Sequence, residues 1–108
     1  MEIRWVYITC ASMAEAQDIG RSLVSERLAA CANCWGGVQS VYWWEGKVVE
    51  DQEAVLIAKT TVPLLEALMQ RVRALHSYSV PCIEALPAAE SHPAYAAWIH
   101  ETLHAAHE

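Results

Sequence analysis

The 108 residues leave room for one domain, spanning 1–108, and 55% apolar against 19% charged residues places the chain among folded rather than disordered proteins. A formal charge of −6 with only seven Lys and Arg supplies no basic patch to neutralise phosphates. Nucleic acid is thereby excluded as a partner, and an anionic membrane surface is disfavoured. No apolar run reaches bilayer-spanning length and the first residues do not read as a signal segment, so the expected address is cytoplasmic and the four cysteines are expected as thiols. The apolar content is high for so small a domain, which predicts that a partner subunit covers part of it.

From Glu2 to Cys10 the residues Ile3, Trp5, Val6, Tyr7 and Ile8 predict a strand. Ser12-Met13-Ala14-Glu15 reads as a capping box that opens a helix, with Ala16, Ile19, Gly20, Leu23, Val24 and Leu28 at helical spacing. Ala32 to Trp44 returns to strand character, and Gly36-Gly37 within it predicts a bulge or bend. Glu45-Gly46 then marks the tip of a long hairpin whose return strand runs from Lys47 to Lys59. Its continuous apolar stretch from Ala54 to Ala58 is expected in a central strand buried on both faces. Glu50, Asp51 and Glu53, just after the turn, are expected as a solvated charged edge.

A second helix is predicted from Thr61 to Pro63 onward, with Leu65, Leu68, Met69, Val72 and Leu75 as its apolar stripe. His76 to Pro81 is a loop, Cys82 to Leu86 a short strand, and Ser91 and Pro93 open a last helix. That helix is expected to bury Tyr95, Trp98, Ile99, Thr102, Leu103 and Ala106, leaving His100, His104 and His107 on a solvent-facing side where they would bind metal only adventitiously. The order β-α-β-β-α-β plus a C-terminal helix is the split βαβ, so the fold class is α+β, a ferredoxin-like sandwich with a long β2–β3 hairpin. Two helices cover one face of such a sheet. The other face is expected to meet a neighbouring subunit.

Specific residues then become recognisable. Glu26-Arg27-Leu28-Ala29-Ala30-Cys31-Ala32-Asn33, the hairpin tip Ser40-Val41-Tyr42-Trp43-Trp44-Glu45-Gly46-Lys47, Lys59-Thr60, the loop His76-Ser77-Tyr78-Ser79-Val80-Pro81 and Tyr95-Ala96-Ala97-Trp98 occur in this order. Together they resemble motifs of the CutA divalent-cation-tolerance family along nearly the whole chain. The resemblance implies a homotrimer, a link to tolerance of copper or other divalent metal ions, and a cytoplasmic location. It also implies a metal role for the loop His, here His76, near the end of the first strand, where this chain has Cys10. Ser77 replaces a family Pro, and Ser79 and Cys82 replace family Glu residues. The lost carboxylates turn the expectation from hard cations toward softer ones such as Cu(I) or Zn. Cys10, His76 and Cys82 are therefore the candidate metal ligands.

Cys31-x-x-Cys34 does not fit a redox pair, because it follows a helix and enters a strand, where residues three apart point to opposite faces. Both thiols are expected to be buried and inert. Tyr42 and Trp44 should share one face of their strand and Trp43 the other. No Gly-rich phosphate loop, nucleophile elbow or His-Glu-x-x-His is present, so an enzyme is not expected. Two functions stand: a trimeric metal-binding or metal-responsive protein, and a trimeric regulatory or scaffold module, resembling the PII proteins in general plan, with a small molecule or protein in its inter-subunit clefts.

Overall fold

The computed structural model describes residues 2–104. In chain order it contains β1 (Ile3–Cys10), α1 (Met13–Ser25), β2 (Cys31–Trp44), β3 (Lys47–Thr61), a short 3-10 turn (Val62–Leu64), α2 (Leu65–Leu75), β4 (Ile83–Pro87) and α3 (Pro93–Leu103). The strands form one sheet in the order β2-β3-β1-β4, every neighbouring pair antiparallel. β1 and β3 are thus the central strands, and each βαβ crossover skips over one of them. This is the ferredoxin-like plan with an added C-terminal helix. No helix among the described residues is long and apolar enough to cross a membrane.

Local chemistry sets the element boundaries. At the start of α1 the Ser12 hydroxyl accepts the Glu15 amide at 3.1 Å. The helix ends at Ser25, earlier than the apolar spacing through Leu28 predicts, because Arg27 adopts a left-handed φ of 58°. The amides of Leu28 and Ala29 then both return to the Leu23 carbonyl. This is the looped-back close of a helix, and it sends Leu28 against the core instead of around another turn. At the hairpin tip Glu45 and Gly46 both take positive φ (49° and 77°), the geometry of a two-residue turn whose twist matches the flanking strands. The register shifts between Trp35 and Val38, where Gly37 sits at φ 73°, so the expected bulge is present.

Alternation along β1 divides the sheet into two faces. Val6, Ile8 and Cys10 point to the face covered by α1 and α2, packing with Ile19, Leu23, Leu68 and Val72. Gly20 lets α1 sit close on β2: a Cβ there would lie 3.2 Å from the Ala32 Cβ and 3.4 Å from a Leu56 methyl. On the opposite face α3 lies over the Ile3 end, with Ile3, Ile99 and Leu103 forming a smaller apolar cluster. That face is therefore partly covered by the chain itself.

The buried side of α3 is narrower than its spacing predicts. Ile99 and Leu103 are enclosed, whereas Tyr95 and Trp98 stack on each other (ring centroids 5.6 Å apart) and remain partly exposed. His104 is not solvent-facing as expected: its Nε2 lies 2.7 Å from the Thr61 hydroxyl. The Arg27 guanidinium donates to the Thr102 carbonyl at 2.6 Å, a second hold on the helix end. Ala106 and His107 lie outside the described residues.

Gly20→Val is expected to destabilise the fold by about 1–2 kcal/mol, overpacking against Ala32 and Leu56 outweighing the small gain in helix propensity. Urea denaturation measures this. A midpoint unchanged or raised would show that α1 and β2 do not meet as closely as described.

Candidate functional site

The end of β1 is where the sequence-predicted residues meet. Cys10 is its last residue and is fully enclosed. Glu15 stands on the first turn of α1, and His76 follows the last residue of α2. One ligand atom from each of Cys10, Glu15 and His76 falls within 4.8 Å of the others, the group of acidic, Cys and His side chains among the described residues that is close enough to hold an ion. The donor set is one sulfur, one imidazole nitrogen and one carboxylate oxygen. It fits a soft or borderline ion better than a hard one.

Each member of this group also carries hydrogen bonds. The Tyr78 amide donates to His76 Nδ1 at 3.0 Å, which leaves Nε2–H to donate to the Thr9 carbonyl at 2.7 Å. One Glu15 oxygen accepts the Ala11 amide at 2.9 Å, and the other accepts the Ser77 amide at 2.8 Å. Burial alone would raise the Glu15 carboxyl. The amides of Ala11 and Ser77, the Ser77 hydroxyl and the adjacent His76 outweigh it and hold the group below its ordinary value of 4.5. Burial pushes the Cys10 thiol up to about 12, helped by the Glu15 charge, so it stays protonated at neutral pH.

Cys82 does not join this group. Ile83 pairs with Ile8 and packs toward the helices, so Cys82, one residue earlier, turns to the other face. There it lines a cleft with Thr9, Tyr42, Trp44, Glu53 and Tyr78. Its Sγ lies 3.8 Å from a Glu84 carboxylate oxygen, and burial followed by that carboxylate raises its pKa. Glu53 corrects the expectation of a solvated charged edge. β3 is a central strand, and the Glu53 side chain is only 9% exposed, receiving the Tyr78 hydroxyl at 2.7 Å. Asp51 is likewise engaged, by the Tyr42 hydroxyl at 2.6 Å. Tyr42 and Trp44 share this cleft, as their alternation predicts, and Trp43 is 75% exposed.

The remaining candidates separate. Cys34 packs toward α1, its Sγ 3.6 Å from the Ala16 carbonyl, while Cys31 pairs with Lys59 on the other face. Both are half-buried rather than enclosed, and they do not converge. His100 and His104 meet edge to face with centroids 6.5 Å apart, and the tie of His104 to Thr61 takes it out of a free chelating pair. Glu15 was identifiable from the sequence only as a helix-capping residue. Its second role depends on Ser77, 62 positions away, coming to its other oxygen.

Comparison with known proteins places the chain firmly. The family model described as CutA1 divalent ion tolerance protein matches residues 4–102. A divalent-cation tolerance protein CutA of Thermus thermophilus is 50% identical over 96 residues, covering 89% of this chain and 93% of that one. A chloroplastic protein CutA 1 of rice is 45% identical across 87% of this chain, which spans only 53% of the rice protein. The solved structure of the Thermus thermophilus protein superimposes with a TM-score of 0.90 at 48% identity, covering 93% of this chain and 97% of its own.

Glu15→Gln should lower stability at pH 7 by about 1–3 kcal/mol, since a charge-assisted acceptor of two amides becomes a neutral one. The Glu15 carboxyl is depressed in the fold, so its contribution is complete above its unfolded value and disappears as pH falls through the folded one. Thermal melts between neutral pH and about pH 3 should therefore fall more steeply for the parent chain than for Glu15→Gln. Parallel curves would show that the carboxylate charge does not hold the loop.

Proposed function

The chain belongs to the CutA1 divalent ion tolerance family, and from that premise we propose that it binds copper or another soft or borderline divalent ion at Cys10, Glu15 and His76. The observation that carries this is the approach of a thiol, a carboxylate and an imidazole to within 4.8 Å at the end of β1. On this proposal the protein acts by holding the ion, not by turning over a substrate.

Binding is a competition with the hydrogen bonds already present. The ion must displace the Cys10 proton, whose pKa of about 12 makes that costly at neutral pH. It must also take an imidazole lone pair from the Tyr78 amide, or the Nε2 proton from the Thr9 carbonyl. Glu15 can bind with less disturbance, because a carboxylate oxygen keeps a second lone pair after accepting one amide. Affinity should therefore rise with pH, by up to about tenfold per unit for the thiol proton alone. Metal uptake is also coupled to the loop after α2, since Ser77 and Tyr78 lean on the same side chains.

The same premise leads us to read the assembly as a homotrimer. What supports it is the apolar surface left on the single chain: Trp5, Trp35, Trp98 and Leu86 are all more than two-fifths exposed, and Trp43 projects from the hairpin. Indoles left in water at that density are what a subunit interface removes.

Zinc titration by calorimetry on the full reduced chain tests the site. Cys10→Ser and His76→Gln should each weaken binding by at least about tenfold, while Cys82→Ser stays close to the parent. Equal affinity in the parent, Cys10→Ser and His76→Gln would overturn the assignment. For the assembly, light scattering should give three times the chain mass, and a monomer mass would refute the trimer.

A further inference from the structure

The hydrogen bonds of the His76 ring fix where its hydrogen lies. The Thr9 carbonyl, 2.7 Å from Nε2, can only accept, and the Tyr78 amide, 3.0 Å from Nδ1, can only donate. The ring therefore carries its hydrogen on Nε2 and keeps Nδ1 as an acceptor. An imidazole in this form has one lone pair to give an ion. Ligation through Nδ1 uses the pair that the Tyr78 amide now holds. Ligation through Nε2 sends the hydrogen to Nδ1, where it meets the Tyr78 N–H. By either nitrogen, His76 cannot become a ligand and keep its bond to the Tyr78 amide.

Tyr78 carries that loss to the other side of the sheet. Its ring lies against His76, centroids 4.8 Å apart, and its hydroxyl donates to Glu53 at 2.7 Å. A rigid ring and two side-chain torsions are all that separate the amide from the hydroxyl, so a turn of the peptide at one end displaces the other. Glu53 is nine-tenths buried on β3 and pairs with Val38, the first β2 residue in register beyond the bulge. It thus stands where the projecting part of the hairpin begins. We propose that Tyr78 couples ion uptake at Cys10, Glu15 and His76 to the β2–β3 hairpin: it holds Glu53 in the ion-free chain and lets go when His76 becomes a ligand. The proposal rests on the ion-binding reading above and adds its regulation. Every bond in the relay lies within one chain, so the coupling operates with a neighbouring subunit seated on the cleft. By linkage it is reciprocal: whatever keeps Tyr78 on Glu53 lowers the affinity for the ion.

The test uses zinc on the full reduced chain, read by calorimetric affinity and by the side-chain carboxyl carbon resonance of Glu53. In the parent chain zinc should move that resonance in step with site occupancy. Tyr78→Phe keeps the amide and the ring but has no hydroxyl, so ion uptake no longer breaks a bond to a buried carboxylate. Zinc should then bind about tenfold tighter and leave the Glu53 resonance unmoved. Tyr42→Phe, which removes the hydroxyl on Asp51 instead, should match the parent in both readouts. An unmoved Glu53 resonance in the parent, parent-like affinity in Tyr78→Phe, or an equal gain in Tyr42→Phe overturns the coupling; zinc binding that still weakens in Cys10→Ser and His76→Gln leaves the ion site standing. A resonance that moves equally in Tyr78→Phe places zinc on Glu53 itself and overturns the coupling too. No saturable zinc binding in the parent overturns the ion site and the coupling together. Should Tyr78→Phe fail to fold, Glu53→Gln replaces it in the calorimetry, tighter binding supporting the relay and unchanged affinity overturning it.

Discussion

The two-residue alternation of β1, fixed by pairing on both of its sides, is the constraint on which the rest of the molecule depends. With β3 on one edge and β4 on the other, β1 cannot rotate or slip by one residue without moving Val6 and Ile8 out of the core. Neighbouring residues at its end are thereby assigned to opposite faces: Cys10 to the helix side, Thr9 to the cleft. The segment after α2 wraps around this end. Ser77 is held on one side by Glu15, and Tyr78 is held on the other by Glu53.

That arrangement makes the candidate ligands serve as structural residues as well. The Glu15 carboxylate joins the start of α1 to the loop, and His76 joins the loop to the β1 carbonyl of Thr9. A fully satisfied polar group at the rim of an apolar core resists rearrangement, because any donor or acceptor left unpaired there costs about 1–3 kcal/mol. An ion that enters must replace those bonds with its own. On the proposed function, selectivity would follow from bond strength: a thiolate and an imidazole reward copper or zinc far more than magnesium or calcium.

The aromatic residues serve two tasks, and some serve both. Trp5 and Tyr95 flank the Lys59 ammonium and Tyr42 and Trp44 line the cleft, yet Trp5 and Trp44, like Trp35, Trp43 and Trp98, keep large areas in water. In a chain without Phe these indoles and phenols supply all the large rings. The α3 helix covers only the Ile3 end of its face, held there by Ile99 and Leu103 and by polar ties from Arg27 and Thr61. What α3 leaves open is the surface available for assembly.

Sequence by itself determined the order of elements, the bulge at Gly36-Gly37, the Glu45-Gly46 turn and the central place of β3, because periodicity, capping and turn chemistry act over a few residues. It also determined the family, through motifs distributed in order along the chain, and it singled out Cys10 and His76, which the structure brings together. It missed the end of α1 at Ser25, where a left-handed Arg27 does what glycine usually does and no local signal announces it. Only the tertiary structure decided that Glu15 completes the group at Cys10 while Cys82 faces away, that Glu53 is buried against Tyr78, and that His104 is tied to Thr61. Each of these depends on partners 25 to 72 positions apart in the chain, brought together by strand register and by the path of one loop. Residue type and spacing record which chemistry is present. Which side chains share a face is set by the pairing of distant strands.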